Sequence, residues 1–176
     1  MKRINVVGTS GSGKTTFSKE LAQKLNIEYI EMDRLYWKND WRGSSDLELL
    51  HSIRCALIGD AWVLDGNYNR TQAVKWKHLD TLIWLDFPFY LVFYRVLKRA
   101  IKRAITKEKL WDTNNYENFK LLFSKDSIVL WMITSYPTMK KRYSEVFENP
   151  NVMPKVKMIR LKSPQQASVF LKEIKG

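Results

Sequence analysis

The chain has 176 residues, a length typical of one domain. Hydrophobic residues make up 45% of it and charged residues 27%, which excludes a disordered or fibrous protein. Lysine and arginine outnumber aspartate and glutamate by 30 to 18, so the net charge of +12 points to partners that carry phosphate, either nucleotides or nucleic acid.

Membrane, secretory and zinc-dependent classes are not expected. The longest apolar stretches, 87–94 and 128–133, are far shorter than the roughly 18 to 20 residues that a membrane helix needs. Residues 1–8 lack the apolar core of a secretory signal. Cys55 is the single cysteine, and only two histidines, His51 and His78, accompany it. We therefore expect a cytoplasmic protein without disulfides or zinc, and we assign these three side chains no chemistry.

The first half of the chain predicts strands that alternate with helices. Periodicity and turn residues indicate each element. In chain order the pattern predicts a strand at 3–7, a helix over 14–25, a strand at 28–30, a helix over 46–58 capped by Ser44 or Ser45, and strands at 62–64 and 81–85 with a short polar segment between them.

The second half predicts one long helix, two further helical segments, a strand and a last helix. Pro88 suits the first turn of the long helix, whose predicted apolar face carries Phe93, Leu97, Ile101 and Ala104. Then follow a break at 112–115, a helix over 116–131, an interruption at Pro137, a basic helix through Phe147, a strand at 156–161 and a helix over 163–174. This alternation predicts an α/β fold, a five-stranded parallel sheet covered on both faces in a single domain over 1–176.

A phosphate-binding loop carries the strongest functional signal. Gly8-Thr9-Ser10-Gly11-Ser12-Gly13-Lys14-Thr15 follows a predicted strand and opens a predicted helix, which is the context that the motif requires. Glycines let backbone N–H groups turn toward phosphates, and the helix N-terminus adds positive potential. Lys14 then serves the β- and γ-phosphates, and Thr15 offers a hydroxyl to Mg²⁺. The predicted nucleotide contacts are Gly8, Ser10, Gly11, Ser12, Gly13, Lys14, Thr15 and Thr16.

Several segments resemble the adenylate-kinase-like P-loop kinases, in the same order along the chain. They are Trp62-Val63-Leu64-Asp65-Gly66 before Arg70-Thr71, Leu85-Asp86-Phe87-Pro88 before Arg95 and Arg99, and Lys162-Ser163-Pro164. The resemblance implies the three-layer sandwich of the P-loop NTPases, nucleoside-monophosphate-kinase-like, with ATP and Mg²⁺ as cofactors. It also implies that Arg95 and Arg99 face ATP and that Ser163 lies in an adenine-contacting loop. Arg142 resembles a family arginine beyond the lid.

The chain departs from adenylate kinases on the acceptor side. Its lid, at about 103–115, is short, as in shikimate-kinase-like members, and the Gly-Asp-x-x-Arg acceptor pattern is absent from the insert at about 33–60. The acceptor therefore stays open between a nucleoside monophosphate and a small hydroxyl compound. Overall the chain most resembles bacterial DNA topology modulation proteins, in its Asp33-x-x-Tyr-Trp segment, its Leu-Asp-Gly-Asn-Tyr turn, its basic helix and its Arg160–Pro164 segment.

Two acids and a group of aromatic residues are candidates for chemistry. Asp65 closes a strand and suits a magnesium ligand, with a turn-forming Asp-Gly pair as the alternative. Asp33 follows the second strand and suits a base for the acceptor hydroxyl, with a helix cap or an ion-paired loop acid as the alternative. Tyr36, Trp37 and Trp41 either stack on an acceptor or simply pack.

The long helix is strongly basic, and this allows two hypotheses of different class. Arginine suits bidentate phosphate contacts, so Arg95, Arg99 and Arg103 are expected to cover the triphosphate, opposite the apolar face. A solvated face or a surface that binds DNA is the alternative. We predict an ATP-dependent kinase with Lys14, Asp33, Arg95 and Arg99 as catalytic residues and Thr15 and Asp65 at the metal. The alternative is a DNA-associated ATP-binding protein that modulates DNA topology.

Overall fold

The fold is described from a computed structural model, which covers residues 1–174. It consists of a five-stranded parallel sheet with helices on both faces. The strands are β1 (Arg3–Gly8), β2 (Glu28–Glu31), β3 (Trp62–Asp65), β4 (Thr81–Leu85) and β5 (Lys157–Leu161). The predicted α/β class and the predicted number of strands are confirmed. Within 1–174, no helix combines the length and apolarity needed to cross a bilayer.

The strand order places the phosphate loop at the centre of the sheet. The order is β2-β3-β1-β4-β5, so β1 lies between β3 and β4. In register, Val6 pairs with Asp65, Gly8 pairs with Leu85, and Glu31 pairs with Asp65. The carboxyl ends of four strands therefore meet at one edge, where α/β proteins bind their ligands.

Eight helices connect and cover the strands within the described residues. They are α1 (Lys14–Leu25), α2 (Met32–Tyr36), α3 (Asp46–Ala56), α4 (Gln72–Lys75), α5 (Phe89–Thr106), α6 (Phe119–Leu122), α7 (Ile128–Glu148) and α8 (Pro164–Glu173). Short 3₁₀ turns occur at Asn39–Trp41, Asn69–Thr71 and Pro150–Val152. Ser45 caps α3 in a capping box with Glu48, which decides between the two predicted caps.

Two hydrophobic clusters, one on each face of the sheet, hold the layers together. One contains Phe17 and Leu21 of α1, Val92 of α5 and Leu171 of α8. The other contains residues of α3 and α7, among them Leu49, Ile53, Tyr143 and Val146. Burial of apolar surface on both faces is what a parallel sheet requires.

The apolar face predicted for α5 is wrong, because it is rotated around the helix axis from the face that the helix buries. The helix buries Val92, Val96, Ala100 and Ala104, whereas Ile101 is 39% exposed. The smaller residues face inward because α5 packs closely on the phosphate loop. A Cβ atom at Gly11 would lie 2.7 Å from the Val92 carbonyl oxygen. The predicted position of the arginines opposite this face is therefore also wrong, since Arg95 and Arg99 flank the buried stripe.

The predicted helix over 116–131 and the predicted interruption at Pro137 are wrong. The Asn118 side chain accepts a hydrogen bond from Leu121 N and starts α6, and Ser127 caps α7 separately. Pro137 lies inside α7, which runs through it without a break. An interior proline costs about 3 kcal/mol, but both halves of α7 are anchored in the core, by Met132 before the proline and Tyr143 after it.

Two short helices occupy segments in which the sequence pattern predicts neither a helix nor a strand. α2 follows β2 directly and carries Asp33, and α4 lies in the polar segment between β3 and β4. Helices of four or five residues are too short to show a periodic apolar face, so the pattern does not reveal them.

Candidate active site

The phosphate loop, Gly8–Thr15, runs from the end of β1 to the start of α1. Gly11 and Gly13 have φ values of +83° and +89°, a backbone conformation that side chains with a Cβ atom rarely adopt. At Gly11 a Cβ atom would also collide with α5. The loop thus turns its backbone N–H groups around the N-terminus of α1, as a phosphate site requires.

Lys14 lies at the base of this loop. Its Nζ atom donates a hydrogen bond to the Thr9 carbonyl oxygen, 3.2 Å away. Burial lowers the pKa of Lys14, and the nearby carboxylates of Asp65 and Asp33 oppose that shift. The Lys14 ammonium group therefore lies close to the phosphate loop and to Asp65 and Asp33, the two acids that the sequence singled out.

The loop hydroxyl and the β3 carboxylate are in direct contact. Thr15 Oγ1 donates to Asp65 Oδ2 at 2.6 Å, and Tyr29 OH donates to the same oxygen at 3.3 Å. Asp65 is 4% exposed, and burial raises its pKa. The sequence did not identify Tyr29, because its contact depends on how β2 pairs with β3.

The pair formed by Thr15 and Asp65 fits a magnesium ion. The second carboxylate oxygen of Asp65, Oδ1, is buried without a hydrogen-bond partner, so it has free capacity for a metal or a metal-bound water. Residues 1–174 contain no group of three or more His, Cys, Asp and Glu side chains that could hold a metal ion. In phosphoryl-transfer sites Mg²⁺ takes one or two carboxylates and completes its shell with phosphate and water, so the carboxylate of Asp65 beside the phosphate loop suits it.

Arg95 and Arg99 of α5 lie against the phosphate loop. Arg99 Nη2 donates to Ser10 Oγ at 3.0 Å, and its Nε atom is buried without a partner. The Arg95 guanidinium lies 5.6 Å from the centre of the Phe87 ring. Both arginines line a cavity of about 450 Å³, together with Gly11, Ser12, Gly13, Thr16, Phe17, Glu20, Leu85, Phe87, Pro164, Ala167, Ser168 and Leu171.

Asp33 lies on the acceptor side, in the first turn of α2. Tyr68 OH donates to Asp33 Oδ1 at 2.6 Å, which leaves Oδ2 for another partner. Burial lowers the pKa values of Lys14 and Arg99, and the Asp33 carboxylate is close enough to oppose that shift in both. Asp33 is therefore neither a helix cap nor part of a salt bridge within 1–174.

Residues 66–71, here called the β3 loop, connect the phosphate loop with Asp33. The Asn67 side chain binds Gly8 twice: its Oδ1 accepts from Gly8 N at 3.0 Å, and its Nδ2 donates to Gly8 O at 2.7 Å. Tyr68 reaches Asp33 in the opposite direction. The sequence pattern predicts no role for Asn67 and Tyr68, which belong to the Leu-Asp-Gly-Asn-Tyr turn.

The lid is fastened to the acceptor-side segment by hydrogen bonds. Asn115, which is buried, accepts from Trp41 N at 2.7 Å and donates to Lys38 O at 2.8 Å. Asn114 accepts from Asp40 N at 2.8 Å and donates to Asp40 Oδ1 at 2.7 Å. The predicted lid is thus hydrogen-bonded to residues 38–41 of the predicted acceptor-side segment.

The predicted aromatic residues form one cluster with the lid. The Trp37 and Trp111 rings stack with centroids 6.1 Å apart, and Trp41 packs edge-on against both. Tyr36 contacts Trp37 on one side and Tyr68 on the other. Trp37 and Trp41 thus pack on each other and on Trp111, and the cluster extends toward Asp33 through Tyr68. Stacking of these rings on an acceptor stays a prediction.

Four further residues that the sequence singled out form hydrogen bonds or salt bridges with other residues of the chain. Ser163 Oγ accepts from Gln166 N at 3.2 Å and caps α8, next to the Pro164 end of the cavity. Arg103 forms a salt bridge of 3.1 Å with Glu117, and Arg70 forms one of 2.8 Å with Asp46. Arg142 donates to Gln72 Oε1. A direct role of Ser163 and Arg142 at a ligand stays a prediction.

Local sequence similarity points to shikimate kinases. The shikimate kinase family model matches residues 10–44. A shikimate kinase from Sulfurihydrogenibium sp. (strain YO3AOP1) is 51% identical over 35 residues, which are 20% of this chain and 21% of that protein. One from Azobacteroides pseudotrichonymphae is 45% identical over 42 residues, 24% of each chain. The matched region thus spans less than a quarter of either relative.

Similarity of the fold extends over nearly the whole chain. The shikimate kinase from Acinetobacter baumannii, solved in complex with shikimate, aligns with a TM-score of 0.57 at 18% identity, covering 99% of this chain and 90% of that one. A gluconokinase from Sinorhizobium meliloti 1021 aligns with a TM-score of 0.52 at 14% identity, covering 97% and 91%. The chain therefore has the fold of the P-loop kinases, and its phosphate loop and the following segment resemble those of shikimate kinases.

Proposed function

We propose that this protein is a Mg-ATP-dependent kinase that transfers the γ-phosphoryl group of ATP to a hydroxyl group of a small acceptor. One observation carries the proposal: Lys14 and Thr15 of the phosphate loop lie beside Asp65, and Asp33 lies across from them at the same edge of the sheet. A phosphate site, a metal site and a carboxylate for the acceptor are the parts that phosphoryl transfer requires.

The donor half of the reaction is assigned to the phosphate loop and α5. Lys14 binds the β- and γ-phosphates, and Arg95 and Arg99 hold the triphosphate from the opposite wall of the cavity. Thr15 and Asp65 hold Mg²⁺, which neutralises charge on the phosphate oxygens when it is bound. Because these side chains are already in place around the loop, they stabilise the charge of the transition state without reorganising.

The acceptor half is assigned to Asp33. Tyr68 fixes the carboxylate through Oδ1, so that Oδ2 accepts the proton of the acceptor hydroxyl as its oxygen attacks the γ-phosphorus. The bond from the γ-phosphorus to the β,γ-bridging oxygen breaks in the same step, and ADP is the leaving group. The lid and the aromatic cluster exclude water from this side, which favours transfer to the acceptor over hydrolysis.

A small hydroxyl compound suits the site better than a nucleoside monophosphate. The Gly-Asp-x-x-Arg pattern of adenylate kinases is absent, and Arg34 and Arg70, which flank Asp33 and Tyr68 in sequence, are paired with acids, at 2.7 Å to Asp112 and 2.8 Å to Asp46. Local similarity to shikimate kinases and the likeness of the fold to a gluconokinase support the same choice.

An ADP-release assay with a panel of acceptors tests the proposal. The panel contains shikimate, gluconate, neutral sugars and nucleoside monophosphates, each with Mg-ATP. We expect one hydroxyl compound to raise ADP release, and Lys14→Ala to lower that rate by about a hundredfold or more while the protein stays folded. Release stimulated only by a nucleoside monophosphate would reject the acceptor class, and a fully active Lys14→Ala variant would reject the phosphate loop as the site.

The lysines of α5 favour a second candidate, a DNA-associated ATP-binding protein. Lys98 and Lys102 point to solvent, in a protein with a net charge of +12. Such a surface would bind duplex DNA with a steep salt dependence and little preference for sequence. The relation to DNA topology modulation proteins stays a prediction, and the arginine and lysine variants discussed below separate the two candidates.

A further inference from the structure

Lys75 is the one lysine whose side chain is fully buried within 1–174, and it lies at the end of α4. It is 1% exposed. A lysine is rarely buried to this degree unless it pairs with a carboxylate. Within 1–174, however, Lys75 forms no salt bridge, and its Nζ atom instead donates to the carbonyl oxygens of Gly66 and Asn67.

These two carbonyls belong to the β3 loop, which joins three parts of the candidate active site. Asp65 immediately precedes it, Asn67 binds both backbone groups of Gly8, and Tyr68 donates to Asp33. The position of this loop therefore affects the metal carboxylate, the first glycine of the phosphate loop and the acceptor-side acid together.

We propose that Lys75 is a positioning residue that fixes the β3 loop and, through it, the magnesium side of the phosphate site. The inference rests on the proposed function. Lys75 does not touch ATP or the acceptor; it acts through the backbone of Gly66 and Asn67. Gly66 O also accepts from Asn5 Nδ2, at 3.2 Å, whereas Lys75 is the donor to Asn67 O. An apolar side chain at position 75 would therefore leave the buried Asn67 carbonyl unpaired.

The role does not depend on one protonation state. Burial, with a contribution from the nearby Arg142 guanidinium, lowers the pKa of Lys75 to about 7. An ammonium group has three N–H donors and a neutral amine has two, so either form can serve both carbonyls.

Lys75→Met is the variant that tests the inference, because methionine fills similar space without a donor. Lys77→Met is the matched control: Lys77 is exposed, two residues away, and makes no side-chain contact with the β3 loop. The affinity for ATP is measured by calorimetry with Mg²⁺ and again with EDTA. Circular dichroism verifies that each variant is folded.

We expect Lys75→Met to reduce the gain in ATP affinity that Mg²⁺ provides by about ten- to a hundredfold, as is typical when a residue that supports a metal site is removed. Lys77→Met should retain the full gain. A purely structural role would weaken the two affinities equally or not at all, and that result in a folded Lys75→Met protein would overturn the inference.

Asn67→Ala decides the question if Lys75→Met does not fold. It removes the contact with Gly8 and leaves Lys75 in place, so it should also reduce the Mg²⁺-dependent gain. An unchanged gain in Asn67→Ala would overturn the inference, because the loop would then have no influence on the phosphate site. Absence of ATP binding by the wild-type protein would instead reject the proposed function itself, so the two failures are distinguishable.

Discussion

At the scale of single residues, the candidate active site holds charged groups at a cost to stability. Burial lowers the pKa of Lys14 and raises the pKa of Asp65, although the two attract each other. For both side chains desolvation thus outweighs the attraction, as is common for buried ion pairs. Groups kept in this condition are typical of sites that bind a charged ligand, and the proposed ligand here is Mg-ATP.

Asp65→Asn should stabilise the ligand-free protein and abolish its response to magnesium. Because folding raises the pKa of Asp65 above 3.8, stability falls as pH rises through the interval between the unfolded and folded values, and the deficit persists at neutral pH. Asparagine removes that deficit. We expect Asp65→Asn to unfold at a higher urea concentration than wild type at pH 7, and this gain to disappear below pH 4.

The same variant should bind ATP equally with and without Mg²⁺. A ligand-free Asp65→Asn protein that is less stable than wild type at pH 7 would contradict the desolvation argument. A normal magnesium response would instead contradict the metal assignment.

Burial of Lys75 changes the stability with pH in the opposite direction to burial of Asp65. Its pKa is about 7 in the folded protein and 10.5 in the unfolded chain, so between these values the unfolded chain binds more protons and stability rises with pH. The slope is at most about 1.4 kcal/mol per pH unit. Between pH 7 and pH 9 the stability of wild type relative to Lys75→Met should therefore rise by up to about 2.7 kcal/mol.

Urea unfolding of both proteins at the two pH values measures this difference. Lys77→Met serves as the control, since its exposed lysine should give no such change. A difference between wild type and Lys75→Met that is constant with pH would show that Lys75 keeps an ordinary pKa.

Residues that belong to a local motif could be predicted from the sequence, and residues that act through distant contacts could not. Gly8–Thr15 and Asp65 carry their signal in their immediate neighbours. Asn67 binds Gly8 only because β1 and β3 pair in one register, which the sequence pattern does not specify. Lys75 reaches the β3 loop from α4, a helix too short to show a periodic pattern.

At the scale of helices and strands, α5 separates its basic residues by side. Arg95 and Arg99 adjoin the stripe that packs on the phosphate loop, whereas Lys98 and Lys102 face solvent. Arg103 is held by Glu117 near the lid. The helix therefore presents Arg95 and Arg99 to the cavity beside the phosphate loop, and Lys98 and Lys102 to solvent.

Substitutions on the two sides of α5 should have different effects. Arg95→Ala and Arg99→Ala should each lower turnover of Mg-ATP by about a hundredfold, because each removes a charge aimed at the transferring phosphates. Lys98→Glu and Lys102→Glu should leave turnover unchanged. Steady-state ADP release with the best acceptor of the panel measures both pairs.

Duplex DNA binding by the same variants provides the contrast. If α5 binds DNA, each lost charge weakens binding by a similar amount and lowers the salt slope by about one unit. Normal turnover in both arginine variants, together with a uniform loss of DNA affinity in all four, would establish the DNA-associated alternative.

The elements themselves were predicted where hydrophobic periodicity is long and unambiguous, as in α1. In α5 nearly every position outside the basic residues is apolar, so the sequence does not reveal which stripe is buried. Which stripe of α5 is buried depends on the close approach of Val92 and Val96 to Gly11, which is a tertiary contact. The same holds for α7, where packing on both sides of Pro137 overrides its local preference.

At the scale of the whole molecule, the strand order assembles the site from parts far apart in sequence. β1 brings Lys14 and Thr15, β3 brings Asp65, and β2 brings Asp33 to one edge, while the lid closes from beyond α5. Four non-glycine residues with positive φ, Asp40, Trp41, Trp111 and Asp112, lie where the lid meets the acceptor-side segment. Such conformations are costly and concentrate at functional sites. Here the side chains of Asn114 and Asn115 hold Asp40 and Trp41 in place by hydrogen bonds.

Because the nucleotide site is built from several elements, its occupation should stabilise the entire fold. Mg-ATP at about 100 times its dissociation constant adds roughly 2.7 kcal/mol to the free energy of unfolding, which for a domain of this size raises the melting temperature by roughly 5–10 °C. Thr15→Ala should lose the part of this shift that depends on Mg²⁺, since it removes the hydroxyl next to Asp65. Thr138→Ala, an exposed threonine of α7, is the matched control and should retain the full shift. Thermal unfolding with ATP in Mg²⁺ or EDTA measures both variants. The absence of any shift with a purine nucleotide at millimolar concentration would reject a nucleotide-dependent function for this chain.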